Sequence, residues 1–561
     1  MEPVIQHLHT YFLFSFAVDR GEVLARHGEI WQGRYWIDGL DDWINSHLVQ
    51  DSPVATSIGR WERASYTQFD LESPAYQDMI FFHPFVRRIF FDTAGIGASD
   101  NEIEALLRCY HIPLSKENKL FFLAEDRRER EAELEVTDLR LFLFANGIGI
   151  LAIGVEAFDI PLSKALWINE MMRKVYPSSG RQLREGRSPS KVTLSVETPY
   201  GRTNVIEAGF ENSAMIGFLP PVSEVITSLL YFADYRHEEY EPVLDERAIV
   251  YSYLALDPAS VPENFHKTEE YDILFSRALY VDHAGDDYRY ARGFTKRLME
   301  QQVYRRWAHQ GTLYGFTSYS NVTMCFGTFD CDDHQLSEGF LIHRMFDSRY
   351  YLMAIIALFY RATLLDFAER VALVSRRLYV DFQDGRLSDA NIERANYLRY
   401  EFLVFSNYWH FDELANKDEE SEHFRMLSAV YDITSMKLEV EREIDKLNAS
   451  LQEYYSARNT QAVNRLAFVS TILGAGAVVT GFFGMNFSSS FEKAFFAPNE
   501  HTLWLHWLAI FGVVGFCLFA LGITFYLFTR NWQDYRSVLR NAQEVAPGVA
   551  RKPGVRRNTK S

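Results

Sequence analysis

Two uncharged stretches near the C-terminus constrain this chain more than any other feature. Residues 466–491, LAFVSTILGAGAVVTGFFGMNFSSSF, hold no Asp, Glu, Lys or Arg over 26 positions, and residues 501–529 hold none over 29. About 20 residues of helix cross the hydrocarbon core of a bilayer. Buried helices of soluble proteins are rarely so long and so free of charge. The pair therefore predicts two membrane spans, 465–487 and 503–529, joined by an extracytoplasmic loop, 488–502. Trp504 and Trp507 at one end of the second run, with Tyr526 and Trp532 at the other, suit the interfacial aromatic belts.

Two spans return the chain to the side from which it started. Residues 529–561 carry eight Lys or Arg against Asp534 and Glu544, a net of +6. By the basic-residue rule this tail, 530–561, is cytoplasmic, and so is the N-terminal body. That predicts a multi-pass protein of the inner (plasma) membrane with both termini in the cytoplasm. Subtracting the tail from the total of −18 leaves −24 on the rest of the chain, which repels nucleic acid and attracts cations. Four cysteines, Cys109, Cys325, Cys331 and Cys517, argue against a disulfide scaffold and for a reducing compartment. The segment YFLFSFAV (11–18) has no Lys or Arg before it, so it reads as a buried strand or helix start and not a secretory signal.

The 561 residues leave room for two to four domains, and 48% hydrophobic content with 44 Phe supplies their cores. Residues 1–340 read as a mixed α/β domain. Its clearest signal is a hairpin at 139–157, two apolar runs around Asn146-Gly147, followed by a helix over 159–176. Residues 341–464 read as helices over 343–378 and 388–411, an acidic connector at 412–422, and a stalk. From 422 to 466 there is no Pro or Gly, and apolar or aromatic residues fall at Val440, Ile444, Leu447, Leu451 and Tyr454. That 3.5-residue spacing is a coiled-coil seam, and nothing breaks it before the membrane. One helix over 424–486, about 95 Å long, is expected, with copies of itself as partners.

A stalk, a first span ending in TGFFGMNF, a short loop, a second span and a basic tail together resemble the CorA-type divalent-cation channels. The signature is Gly484-Met485-Asn486 at the outer end of the first span. The resemblance is specific over roughly 424–530 and architectural from 343. It implies an α+β cytosolic domain, a long helical stalk and two spans per subunit in a homopentamer. First spans would line the pore, and an Asn486 ring would select the ion. The chain departs from the family at Phe483, where Tyr is common, and in the loop SSSFEKAFFAPNE, which has Glu492 and Glu500 but no Met-Pro-Glu.

The chemistry of such a site can be argued from the residues. Mg2+ sheds its waters reluctantly, so a filter should offer neutral oxygens to a hydrated ion, as an Asn ring does. The negative end of the helix dipole at the same place favours a cation. The simpler alternative is that Gly484 and Asn486 cap the helix. Stepping back from Gly484 by three and four gives Gly481, Ala477, Gly474, Ser470, Ala467, Val463 and Thr460, almost all small. We read this stripe as a pore wall continuing the stalk seam; close helix packing through small residues is the alternative. The bulky apolar gate residues that the resemblance to the family implies are diluted here, with Gly at position 474, so Val463 and Leu466 are the candidates for a dewetting constriction.

Elsewhere the signals are weaker. Asp412, Glu413, Asp418 and Glu419 of the connector could hold regulatory Mg2+, although a solvated charge run is the plainer reading. MCFGTFDCDDH (324–334) gathers Cys325, Asp330, Cys331, Asp332, Asp333 and His334, but its spacing is not that of a zinc finger. No P-loop, Gly-x-Gly-x-x-Gly, Gly-x-Ser-x-Gly or His-Glu-x-x-His occurs, so neither an enzyme nor an organic cofactor is expected. The expected partners are copies of the chain, the bilayer and divalent ions, with Mg2+ as cargo. A ligand-gated membrane effector on the same scaffold, or a Zn2+ transporter, is the alternative.

Overall fold

The computed structural model describes residues 2–18, 57–64, 80–91, 106–114, 118–175, 187–209, 221–230, 240–244, 247–282, 290–326, 341–383, 387–484, 492, 495–496 and 503–530. Two compact units divide the chain, Met1–Ile444 and Asp445–Ser561.

Among the described residues, the first unit is built on one sheet of 13 strands. In chain order these are β1 (Val4–Val18), β2 (Glu62–Arg63), β3 (Leu107–His111), β4 (Lys119–Glu125), β5 (Glu131–Phe144), β6 (Ile148–Pro161) and β7 (Lys191–Thr198). They continue as β8 (Gly201–Gly209), β9 (Tyr240–Pro242), β10 (Ile249–Leu256), β11 (Val303–Tyr304), β12 (Leu313–Phe316) and β13 (Ser320–Phe326). The spatial order is β11-β12-β13-β10-β1-β6-β5-β4-β7-β8, with β3 on β5, β2 on β3 and β9 on β1. Among the described residues every strand pairing is antiparallel except β10 with β13. Mixed α/β architecture is thus as expected, and residues 11–18 resolve to the strand alternative. The hairpin is also present: β5 and β6 flank a short loop in which Gly147 has φ 86°, a left-handed conformation glycine adopts freely. Asn146 secures that loop, accepting from Ile148 N–H at 3.2 Å and donating to Thr363 Oγ1 at 2.8 Å.

β1 is the spine of this sheet. Its 15 residues, VIQHLHTYFLFSFAV, contain no Gly or Pro and are rich in aromatics, which suit a pleated surface buried on both sides. Alternation sends the two faces to different helical layers. Thr10 on one face bonds Asn169 of a helix over Leu162–Met172. Tyr11 on the other stacks on Tyr351 at 4.4 Å.

The helices are α1 (Pro84–Phe90), α2 (Leu162–Met172), α3 (Pro221–Leu229), α4 (Glu269–Leu279), α5 (Arg292–Gln301), α6 (Leu341–Met345), α7 (Tyr351–Gln383) and α8 (Asp389–Val404). After them come α9 (Asp418–Val430), α10 (Ile433–Gly484) and α11 (Leu503–Arg530). A π-turn, Phe346–Tyr350, joins α6 to α7, and another, Phe405–Trp409, ends α8. Among the described residues, only the stretch Leu341–Gln383 meets a length-and-hydropathy test for a membrane span, and 78% of its apolar window is buried inside the protein. It is a core helix: Phe359 stacks on Phe144 of β5 at 4.0 Å, and Tyr251 of β10 donates to the Phe346 carbonyl.

The long stalk differs from expectation. The chain breaks at Asp432, whose φ of 56° is left-handed, so α9 stops and α10 begins afresh. Asp enters that conformation more easily than most residues because its short polar side chain can bond locally. The helix entering the apolar run is therefore α10 alone, 52 residues or about 78 Å. The second unit contains the rest of α10 together with α11.

Candidate functional site: an apolar helix pair and a buried histidine cluster

α10 presents two unlike faces. Val440, Ile444 and Leu451 of the seam are buried within the single chain, so this face already has cover. Thr460, Val463, Leu466, Ala467, Ser470, Gly474, Ala477 and Gly481 are all exposed. Because α10 is unbroken, its 3.6-residue turn sets the angle between these groups, and the stripe lies about 150° around the axis from the seam. The expectation that the stripe continues the seam is corrected here. Six residues separate Tyr454 from Thr460, which is not a whole number of turns.

Space at the stripe is open. A methyl group placed on Gly474 or Gly481 would meet nothing within 4 Å beyond its chain neighbours and the local backbone of its own helix. Packing within the chain therefore does not require the small residues. Two hydroxyls in the region are satisfied by their own helix, Thr460 donating to Ser456 O at 2.9 Å and Thr471 to Ala467 O at 2.7 Å. That satisfaction lets polar residues sit in an apolar helix. Large apolar groups also stand exposed around α10, among them Leu466 at 69% and Leu473 at 67%. α11 shows the same, with Phe511, Phe516, Leu518 and Phe525 each more than 60% exposed. An apolar helix surface of this kind belongs in a core or a membrane, and the side chains named on α10 beyond Arg465 and on α11 are not covered by a core. Gly484 is the last residue of α10. Met485, Asn486, most of the loop and the tail lie outside the described residues.

The connector acids are not gathered into one group. Asp412 is 90% exposed, and Glu413 accepts only a long bond from Ser421 at 3.4 Å. Asp418 opens the first turn of α9, where a carboxylate favours the helix dipole. Glu419 already accepts from Trp307 Nε1 at 2.9 Å and from Tyr350 OH at 3.1 Å. Neighbouring Glu420 is buried against Arg349 at 2.8 Å. Much of this run is thus internal polar bonding. Cys325 is buried in β13 beside Tyr253 OH at 3.1 Å, burial pushing its thiol up to about 12, and Asp330 through His334 lie outside the described residues.

Sequence reasoning missed a second cluster. His7, His9, Glu156 and His343 bring one ligand atom each to within 4.8 Å of one another, which no other group achieves among the described residues. His7 and His9 share a face of β1, and Glu156 lies opposite His9 on β6. α6 supplies His343. Glu156 Oε1 is 3.2 Å from His7 Nε2, 3.3 Å from His9 Nδ1 and 3.9 Å from His343 Nε2. His9 Nδ1 and His343 Nε2 are 2.9 Å apart. Two irregularities flank the group: β1 shifts register on β10 between Ile5 and His7, and β5 shifts on β6 between Val136 and Asp138. The second places Thr137 Oγ1 3.4 Å from His9 Nε2. Phe158, Tyr253 and Phe346 wall the cluster. Burial lowers His9 and takes His343 down to about 3, so both rings are neutral at physiological pH. For Glu156 burial works upward, but the contact with His7 at 3.2 Å works downward, and the carboxyl is held down at about 2. The only local signal was His-x-His on an apolar strand; its partners are far away in the chain.

Residues 350–530 match the family model described as CorA-like Mg2+ transporter protein, about a third of the 561 residues. No curated protein and no solved structure matches the chain.

Proposed function

We propose, from the match of residues 350–530 to the CorA-like family model, that this chain is a divalent-cation transporter whose copies assemble as a homopentameric Mg2+ channel in the inner membrane. The observation that carries the reading is the uncharged part of α10 from Leu466 on together with α11, both with large apolar side chains exposed, inside the segment that matches the family. α10 beyond Asp445 would form the first span and α11 the second. In a ring of α10 helices the small stripe would face the axis, and hydrated ions would pass Gly481, Ala477, Gly474, Ser470, Ala467, Val463 and Thr460. Gly484 would release the chain from the helix so that Met485 and Asn486 form the outer mouth, with amide oxygens accepting from the waters of Mg2+. Val463 and Leu466 would close the cytosolic end by dewetting. Of the connector acids, Asp412, Glu413 and Asp418 are exposed and would meet a regulatory cation, whereas Glu419 would have to release Trp307 and Tyr350.

Flux of Mg2+, Ni2+, Co2+ and Zn2+ into proteoliposomes, wild type against Asn486→Ala, tests this. We expect Mg2+ entry that falls at least tenfold in the variant. Absence of flux for every ion would remove the channel reading and favour a membrane effector gated by the sheet domain, which lies outside the family match.

A further inference from the structure

We propose that His7, His9, Glu156 and His343 form a closed, four-coordinate site for a Zn2+-class transition metal, tying α6 to β1 and β6. The spacing supports this. Bonds of about 2.0–2.1 Å in a tetrahedron put neighbouring donor atoms about 3.3 Å apart. Four of the six separations, 2.9, 3.2, 3.3 and 3.9 Å, bracket that edge, and all six lie within 4.8 Å, so a bound ion would draw His7 closer to the other two rings. Three imidazoles and one carboxylate suit zinc or a similar borderline ion, whereas Mg2+ prefers six oxygens in an octahedron. A ligand histidine is oriented by a partner on its other nitrogen, and Thr137 stands at that position on His9. The side chains of His7, His9 and His343 are at most 10% exposed and Glu156 18%, so the donor atoms are largely shielded from solvent. The site is structural in type. It joins the sheet to the short helix just before the family-matched segment, and it is independent of the cargo site in the membrane.

The test is metal content of the full-length protein in detergent, expressed with zinc and dialysed against excess Mg2+. Wild type should retain about one Zn2+ per chain, and His9→Ala/His343→Ala should retain less than a tenth of that. Equal retention in the two folded proteins, or no retained metal in wild type, overturns the site and leaves a buried hydrogen-bonded cluster. Should the double variant fail to fold, cobalt substitution of wild type decides. Intense visible bands of tetrahedral Co2+, altered in Glu156→Gln, are expected, and their absence overturns the proposal. Neither result depends on ion flux.

Discussion

His423 on α9 lies among four rings, stacked on Tyr350 at 4.4 Å and edge-on to Tyr304, Tyr314 and Phe316. Burial alone takes its imidazole down to about 3. An unfolded His titrates near 6.5, so between those limits the unfolded chain binds the extra proton and stability rises with pH. The contribution of His423 is complete above about pH 6.5 and drains away as pH falls towards 3, by up to about 1.4 kcal/mol per pH unit. His410, brought down to about 4 by burial first and by Lys437 second, acts with the same sign. We expect the wild-type melting temperature to fall between pH 7 and pH 5, and His423→Phe to flatten that fall; calorimetry at matched ionic strength measures both. An unchanged slope would show that the ring is protonated in the folded state. A histidine in the sequence carries no mark of this, because its surroundings come from strands and helices far along the chain.

α10 illustrates what periodicity reports at the scale of an element. The heptad-like spacing at Val440, Ile444 and Leu451 did identify a buried face, but the chain itself covers those residues. Spacing alone tells that a face is hidden, not which molecule hides it. The two faces of α10 should therefore respond differently to mutation. Ile444→Ala removes a buried side chain and should cost about 2–4 kcal/mol of stability in thermal or denaturant unfolding. Gly474→Trp enters open space in the single chain, so folding should survive while flux into liposomes is blocked. Undiminished flux in a folded Gly474→Trp protein would sink the pore-wall assignment. The break at Asp432 is the complementary lesson: no Pro or Gly marks it, and one left-handed residue suffices.

Across the whole molecule, the uncovered apolar surface of α10 and α11 demands lipid or further copies of the chain. Mass measurement in mild detergent should give five chains per particle; a particle of one or two chains would count against a central pore. Much of this was legible in the sequence. Uncharged runs 466–491 and 501–529 specify long apolar helices by composition alone, and Asn146-Gly147 between apolar runs specifies its hairpin, because both rest on neighbours in the chain. The helix at 343–378 was legible as an element, yet only packing shows it to be a core helix, since composition cannot separate burial in protein from burial in lipid. Position within the assembled sheet likewise decided the histidine cluster. Glu156 meets His9 through strand register, and His343 arrives through α6. By itself the sequence determined local preference and which residues avoid water. Tertiary structure decided what they meet instead, because the contacts that satisfy them join parts of the chain with no local signal in common.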